Sequence, residues 1–448
     1  MKVNPNIFKA YDIRGVYKVD FGRRTTYKIG RAIATYTKAE TIVVGKDMRT
    51  SSDEVEEHLI KGLIDQGCNV IKIGMSTSPM LYYASGCLPV DAGIIITASH
   101  NPGEYNGFKM CRKNAVPIGE GAGMEEIKAL AVNGVFEEQK EKGKITENED
   151  FVNQYRDHIK RFFSTKTNKR KKVVFDYANG MGILDKKVFD ELEAYIESIP
   201  MFDEYDGNFP NHEANPLKTE TLKPLQEKTV LEKADFGVSY DGDADRVGFV
   251  DELGYVVPMD YITALIAEEI LKKYPGGLVL VDLRSSNAVF EHIHKAGGKT
   301  NLCRVGHSLI KKQMRDEGAV FAGELSGHYY FEENYHAELS SLAIIMITNL
   351  LNETGKTLSE LTKSLKKYHH SGEINSQVES REKTLARIKQ KYYDGKLNEL
   401  DGVRIDYDDW WFNVRQSNTE PIIRLNLEAK TKEKMREKRD ELLSIIRA

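Results

Sequence analysis

Cysteine and tryptophan are scarce in this chain of 448 residues, four and two respectively. The cysteines, Cys68, Cys87, Cys111 and Cys303, show neither metal-type pairing nor redox-type spacing, which excludes a disulfide framework and fits free thiols in a reducing cytosol. No charge of one sign dominates: 64 basic against 68 acidic residues leave a net charge of -4. Without a basic field, nucleic acid and anionic membranes are not expected partners, and any anionic ligand must be held by a local cluster. Long apolar runs are missing too. The greasiest, LAIIMITNLL at 342–351, is about half of the roughly 20 residues a membrane helix needs, and reads as a buried helix. The opening MKVNPNIFKAYDIRG lacks the apolar core of a secretory signal, so the expected location is the cytoplasm. Also absent are a Walker glycine loop, a G-x-G-x-x-G turn after a strand and H-E-x-x-H. Nucleotide-driven phosphoryl transfer, nicotinamide chemistry and zinc proteolysis therefore lack their signatures.

What is present reads as repeated strand-then-helix units. TIVVGKDMRTS (41–51), KVVFDYANGMG (172–182) and GLVLVDLRSSNAV (277–289) each run from β-branched residues into a polar or glycine turn, with Asp47, Asp176 and Asp282 at or just past the strand end. Helical-period stretches follow, a pattern that favours layered α/β domains. Joints fall where charge interrupts the pattern: near 137–151, at DELGY (251–255) and at KSLKKYHHSGE (363–373). The expected domains are residues 1–150, 151–252, 253–367 and a smaller α+β unit at 368–448 that ends in a solvated helix.

The chemistry-bearing segments lie at such strand ends. GIIITASHNPGEYNGFKM (93–110) starts as a buried strand and delivers Ser99 to a polar loop. DGDADR (241–246) follows the apolar FGVSY; in an extended segment Asp241, Asp243 and Asp245 would share one side as hard oxygen ligands for a divalent ion, with Mg²⁺ the expected occupant. A Ca²⁺ loop of the EF-hand kind fails, because Arg246 stands where that loop needs glycine. An arginine beside the carboxylates suits an ion that shares its site with a phosphate. NVRQSNTEPIIR (413–424) sets Arg415, Ser417, Asn418, Thr419 and Arg424 around one polar turn, a pattern suited to forking a phosphate. GELSGH (323–328) offers Glu324, Ser326 and His328 for sugar hydroxyls.

KAYDIRG (9–15), TASHNP (97–102), GFK (107–109), DGDADR, RVGHS (304–308), GELSGH and RQSNTEP (415–421) together resemble the α-D-phosphohexomutase family, and they span almost the whole chain. The sugar loop and the S-N-T-E-P segment look more like its phosphomannomutase/phosphoglucomutase branch than its glucosamine branch, which typically carries Gln where Leu325 stands and Gly where Asn418 stands. The resemblance implies four domains around a central cleft: three similar α/β/α units with mixed sheets, then a C-terminal α+β domain. It implies a mutase that moves phosphate between O1 and O6 of mannose or glucose through a hexose 1,6-bisphosphate, with Mg²⁺ on Asp241, Asp243, Asp245 and the phosphorylated Ser99. Arg14, Lys109 and Arg246 would steady the transferring group, and His328 or Lys109 would act as base. His100 and His307 would organise loops beside the reacting groups. Gly306, His307, Glu324, Ser326 and His328 would contact the sugar, and Arg415, Ser417, Asn418, Thr419 and Arg424 the unreacting phosphate. The partner is then a small phosphosugar, and the chain a monomer or homodimer. Turning the bisphosphate around would require a hinge near residue 368. A phosphoglucosamine mutase, or an aspartyl-phosphate enzyme using Asp241, are the alternatives.

Overall fold

The computed structural model describes residues 3–137, 139–163, 169–416 and 422–448. β-branched and aromatic runs form four sheets among them, and the first three are built alike. In the first, Ala92–Ile96 lies parallel to Thr41–Lys46 and antiparallel to Tyr105–Arg112. In the second, Phe236–Tyr240 lies parallel to Lys171–Asp176 and antiparallel to Val247–Asp251. In the third, Phe321–Gly323 lies parallel to Leu278–Asp282 and antiparallel to Tyr329–Phe331. Each parallel strand thus ends in a loop that doubles back, and the three loops are those of Ser99, of the aspartates and of GELSGH. The fourth sheet is antiparallel throughout, running His369–His370, Ile422–Ala429, Trp410–Gln416, Val403–Asp406 and Lys396–Asn398, with Ile374–Gln377 also on Ile422–Ala429. Helices Arg381–Lys391 and Lys432–Arg447 cover it. The expected class, three mixed-sheet α/β units and a smaller α+β unit, is the one observed.

Helix starts follow local chemistry. Thr77 accepts from the Met80 N–H and Pro79 occupies the first turn of Ser78–Cys87, while Thr357 and Glu360 cap each other at Leu358–Lys363. The run at 342–351 lies within the buried helix Ser340–Thr354, as its composition predicts. At the expected joint of 251–255 the Asp251 carboxylate accepts from the N–H groups of Leu253 and Tyr255 and folds the chain back, so that Val256–Val257 joins the second sheet before the helix Met259–Lys273.

Packing separates the last unit from the rest. One apolar cluster runs without a break through the first three units, from Val43 and Leu81 past Phe175 and Tyr240 to Phe321 and Leu342. The last unit has its own core of Ile388, Phe412, Leu425 and Leu442. It meets the third unit through polar contacts: Asn287 N–H to Glu428 at 2.9 Å, Val305 N–H to Asp401 at 3.1 Å, and Arg404 to the Leu283 carbonyl.

The first sheet shows how tightly the site strands are drawn. Gly107 pairs with Arg14, and a Cβ there would lie 1.9 Å from the Ile13 carbonyl oxygen. Backbone cannot yield as a side-chain tip can, so Gly107→Ala should cost roughly 2–3 kcal/mol and push apart the strands that carry Arg14 and Lys109. The expected result is a lower melting temperature by calorimetry, together with reduced activity.

Candidate active site

Ser99 sits where its strand leaves the first sheet, with φ of +51°, a conformation that needs support in a non-glycine residue. Arg49 supplies it. Its buried guanidinium is oriented by Asp47 at 3.0 Å and donates to the carbonyls of Ser99 at 2.7 Å, Asn101 at 2.6 Å and Tyr105 at 3.1 Å. The Ser99 N–H is held by Thr97 Oγ1 at 3.0 Å. The hydroxyl donates to Asp241 Oδ2 at 2.9 Å and lies 3.2 Å from His100 Nδ1. Arg14 reaches the same loop through Asn101 and is itself held by Asp12.

The aspartate loop meets Ser99 from the second unit. Contact needs Gly242, where a Cβ would stand 2.4 Å from the Ser99 carbonyl oxygen. Asp241, Asp243 and Asp245 are fully buried, and each offers an oxygen within 4.8 Å of the other two. The segment is not extended, contrary to the expectation from alternation. It is a turn between antiparallel strands with Ala244 at φ +61°, and the carboxylates converge because the backbone wraps around them. Ser78, at the start of a helix of the first unit, donates its hydroxyl to Asp243 Oδ2 at 2.6 Å and its N–H to the Asp243 carbonyl at 3.0 Å.

Three buried carboxylates repel. Burial, with Asp245 and Asp243 adding to it, pushes Asp241 well above the ordinary carboxylate range. The countercharge present is Lys109, whose Nζ lies 2.6 Å from Asp243 Oδ2 and also pairs with Asp245, with Arg246 3.7 Å from Asp241. Asp243 Oδ1 is buried without a hydrogen-bond partner. An all-oxygen set with a buried carboxylate oxygen left unpaired fits a hard divalent cation.

The third unit closes the other side. His328 Nδ1 bonds Glu324 Oε2 at 2.9 Å and its Nε2 is 3.3 Å from Asp245 Oδ1, while Ser326 Oγ is 2.6 Å from Nδ1. Burial opposes the charged ring, yet Asp245 and Glu324 push His328 up to about 9. Two half-buried histidines of the site behave oppositely: desolvation, then neighbouring cations, hold His100 and His307 well below their usual value and keep them neutral. Gly306 has φ +129° and its open face takes the Tyr11 ring, so His307 starts its helix with Nδ1 3.6 Å from Glu338 Oε1. Glu338 is in turn paired at 3.1 Å with Lys311, which lies 3.8 Å over the ring of Tyr82 in the first unit.

Arg415 and Arg424 are cross-strand neighbours in the fourth sheet, and both reach Glu373 at 3.1 Å. Arg284 of the third unit, held by Asp282, joins them at 3.4 Å and lies 3.9 Å from Glu324. A charged chain therefore links the sugar loop to the last unit. Ser417, Asn418 and Thr419 lie outside the described residues. The other expected residues fall into two groups, one around Ser99, the aspartates and His328 and one around Glu373, linked through Arg284 and Glu324, and Gly306 takes part only through its turn.

Family models for phosphoglucomutase/phosphomannomutase match in succession: α/β/α domain I at 5–138, α/β/α domain II at 153–254, α/β/α domain III at 258–368 and the C-terminal domain at 373–445. The chain belongs to the phosphoglucomutase/phosphomannomutase family. Similar proteins include a phosphomannomutase of Methanocaldococcus jannaschii, 40% identical over 98% of this chain and 97% of its own, and one of Vibrio cholerae, 36% identical over 98% of each. A crystal structure of a phosphoglucomutase/phosphomannomutase family protein from Burkholderia thailandensis superposes with a TM-score of 0.91 at 29% identity, covering 99% of this chain and 97% of that one.

Within this family member, Arg49 and Arg284 are the positioning groups that motif reading missed. Each follows a strand-end aspartate by two residues, Asp47-Met48-Arg49 and Asp282-Leu283-Arg284, and each is folded back onto that aspartate. The recurrence of Asp-x-Arg at two of the three strand ends was the available signal.

Proposed function

We propose that this protein is a hexose-phosphate mutase that interconverts the 6- and 1-phosphates of mannose or glucose, with Ser99 as the phosphate carrier. One observation carries the reading: the Ser99 hydroxyl, on a loop held in a left-handed conformation, is 2.9 Å from the foremost of three buried aspartates. The names of the relatives above support the reaction class. Mg²⁺ held by Asp241, Asp243, Asp245 and a Ser99 phosphate oxygen would supply electrostatic stabilisation of the charge that develops during transfer.

The chain's own residues supply the rest. Lys109, Arg14 and Arg246 surround the Ser99 position and offset the roughly -1.5 to -2 charges of each phosphate. Arg415 and Arg424 would grip the phosphate that does not react. Glu324, Ser326 and His307 present hydrogen-bonding groups at the sugar. His328, charged between Asp245 and Glu324, is set to return a proton to the sugar oxygen when phosphate leaves it for Ser99; by microscopic reversibility the same ring takes the proton when that oxygen attacks. Lys109 is less suited, locked as it is between Asp243 and Asp245. A hexose 1,6-bisphosphate, formed after the first transfer, must turn before returning its other phosphate. Four unbridged cysteines fit a cytosolic setting, and no helix among the described residues is long and apolar enough to cross a membrane. The enzyme would work there as a monomer or homodimer.

Incubation of mannose 1-phosphate and of glucose 1-phosphate with Mg²⁺ and a trace of bisphosphate should yield the 6-phosphates, and mass mapping should place an acid-stable phosphate on Ser99. Conversion of neither sugar, or an acyl phosphate on Asp241, would refute the proposal.

A further inference from the structure

We propose that Glu373 is a resident stand-in for phosphate: its carboxylate fills the arginine cluster of the last unit between turnovers and must be displaced when a phosphate binds. The inference rests on the reading of Arg415 and Arg424 as phosphate ligands. Three guanidinium groups from two units converge on this one side chain, Arg424 on Oε1 at 3.1 Å, Arg415 and Arg284 on Oε2 at 3.1 Å and 3.4 Å. Both oxygens are thus in use. A carboxylate offers these forks two oxygens and one charge, whereas a phosphate offers three oxygens and nearly twice the charge, so the same arrangement suits phosphate better.

Position in the chain gives the carboxylate room to leave. Glu373 follows Gly372, whose φ is +70° and around which a Cβ would meet nothing within 4 Å, and it precedes the strand Ile374–Gln377 at the joint between the third and fourth units. Its side chain is 27% exposed, so water is available to it once displaced. Arg284 has Asp282 as a second partner and is not stranded by the exchange.

Two consequences follow for a mutase. While the site is empty, Glu373 keeps three like charges assembled in the geometry a phosphate needs, which spares the arginines from reorganising on binding. When a phosphate must let go so that the bisphosphate can turn, the competing carboxylate lowers the barrier to release. Glu373 is therefore a positioning residue that trades affinity for exchange. It need not touch the reacting atoms.

Glu373→Gln keeps the shape and removes the charge. In calorimetric titration of the full chain with inorganic phosphate at low salt, this variant should bind about three- to tenfold more tightly than the parent, with the gain shrinking as salt screens the exchange. In turnover assays it should show a lower KM together with a lower kcat. A purely structural role predicts the opposite, weaker phosphate binding and a raised KM, and would overturn the proposal, as would unchanged affinity. Arg415→Met separates the two readings: it should weaken phosphate binding. If it does and Glu373→Gln brings no tightening, the stand-in role alone falls. If Arg415→Met leaves phosphate binding untouched, the arginine site itself is misread and both fall.

Discussion

Ser99→Ala should reduce interconversion of the sugar phosphates by roughly 10⁴-fold or more, the scale on which removal of a covalent carrier acts. No nucleotide-binding loop is present to supply phosphate by another route, and the hydroxyl is the only group on its loop placed at 2.9 Å from Asp241. The fold should survive. Arg49 grips the carbonyls of residues 99, 101 and 105, and Thr97 the N–H of residue 99, none of which involves the hydroxyl. Alanine at φ +51° is also no more strained than serine. The check is a coupled assay for both sugars alongside intact-protein mass: the variant should melt like the parent, carry no phosphate and turn over neither substrate. Retention of a tenth of the activity would remove Ser99 from the chemistry.

Asp243→Asn should separate activity from stability. Here three buried carboxylates face a lysine, and Asp243 Oδ1 lacks a hydrogen-bond partner. Removing one negative charge relieves the repulsion that, after burial, holds Asp241 above its ordinary range, so without divalent ion the variant should melt at or above the parent's temperature. Lys109 keeps Asp245 as its partner. The same change removes a ligand, and turnover at saturating Mg²⁺ should fall by roughly 10²- to 10³-fold, the order expected when an electrostatic stabiliser of a transferring phosphoryl group is lost. Isothermal titration with Mg²⁺ should show the matching loss of affinity, and chelation of the parent should abolish turnover until Mg²⁺ is restored. An Asp243→Asn enzyme with near-parental turnover would show that the triad is structural.

Much of the site was legible because its chemistry is local. The triad lies within six consecutive residues, Ser99 within a strand-end loop, and Glu324, Ser326 and His328 within another, so each loop announces its donor set without its neighbours. Alternation along a strand does not explain the triad, since it needs an extended segment, and a turn with a left-handed residue performs the convergence instead. At 251–255 Gly254 at φ +83° and the Asp251 carboxylate make a hairpin, a detail that a charge-rich linker composition does not reveal. Glu373 was invisible, because its three partners stand 42, 51 and 89 residues away and nothing in SGEIN marks a carboxylate that faces arginines.

From the sequence alone came the kinds of groups at the cleft, the layered α/β units and the smaller last one, since hydrophobic period and loop composition are properties of short stretches. Tertiary structure alone decided the charge state and order of those groups. Whether His328 carries its proton, what balances the three aspartates and which arginines share a carboxylate depend on separations of a few ångström between chains of side groups from different units, and on burial, which raises the strength of every such interaction several-fold over its value in water.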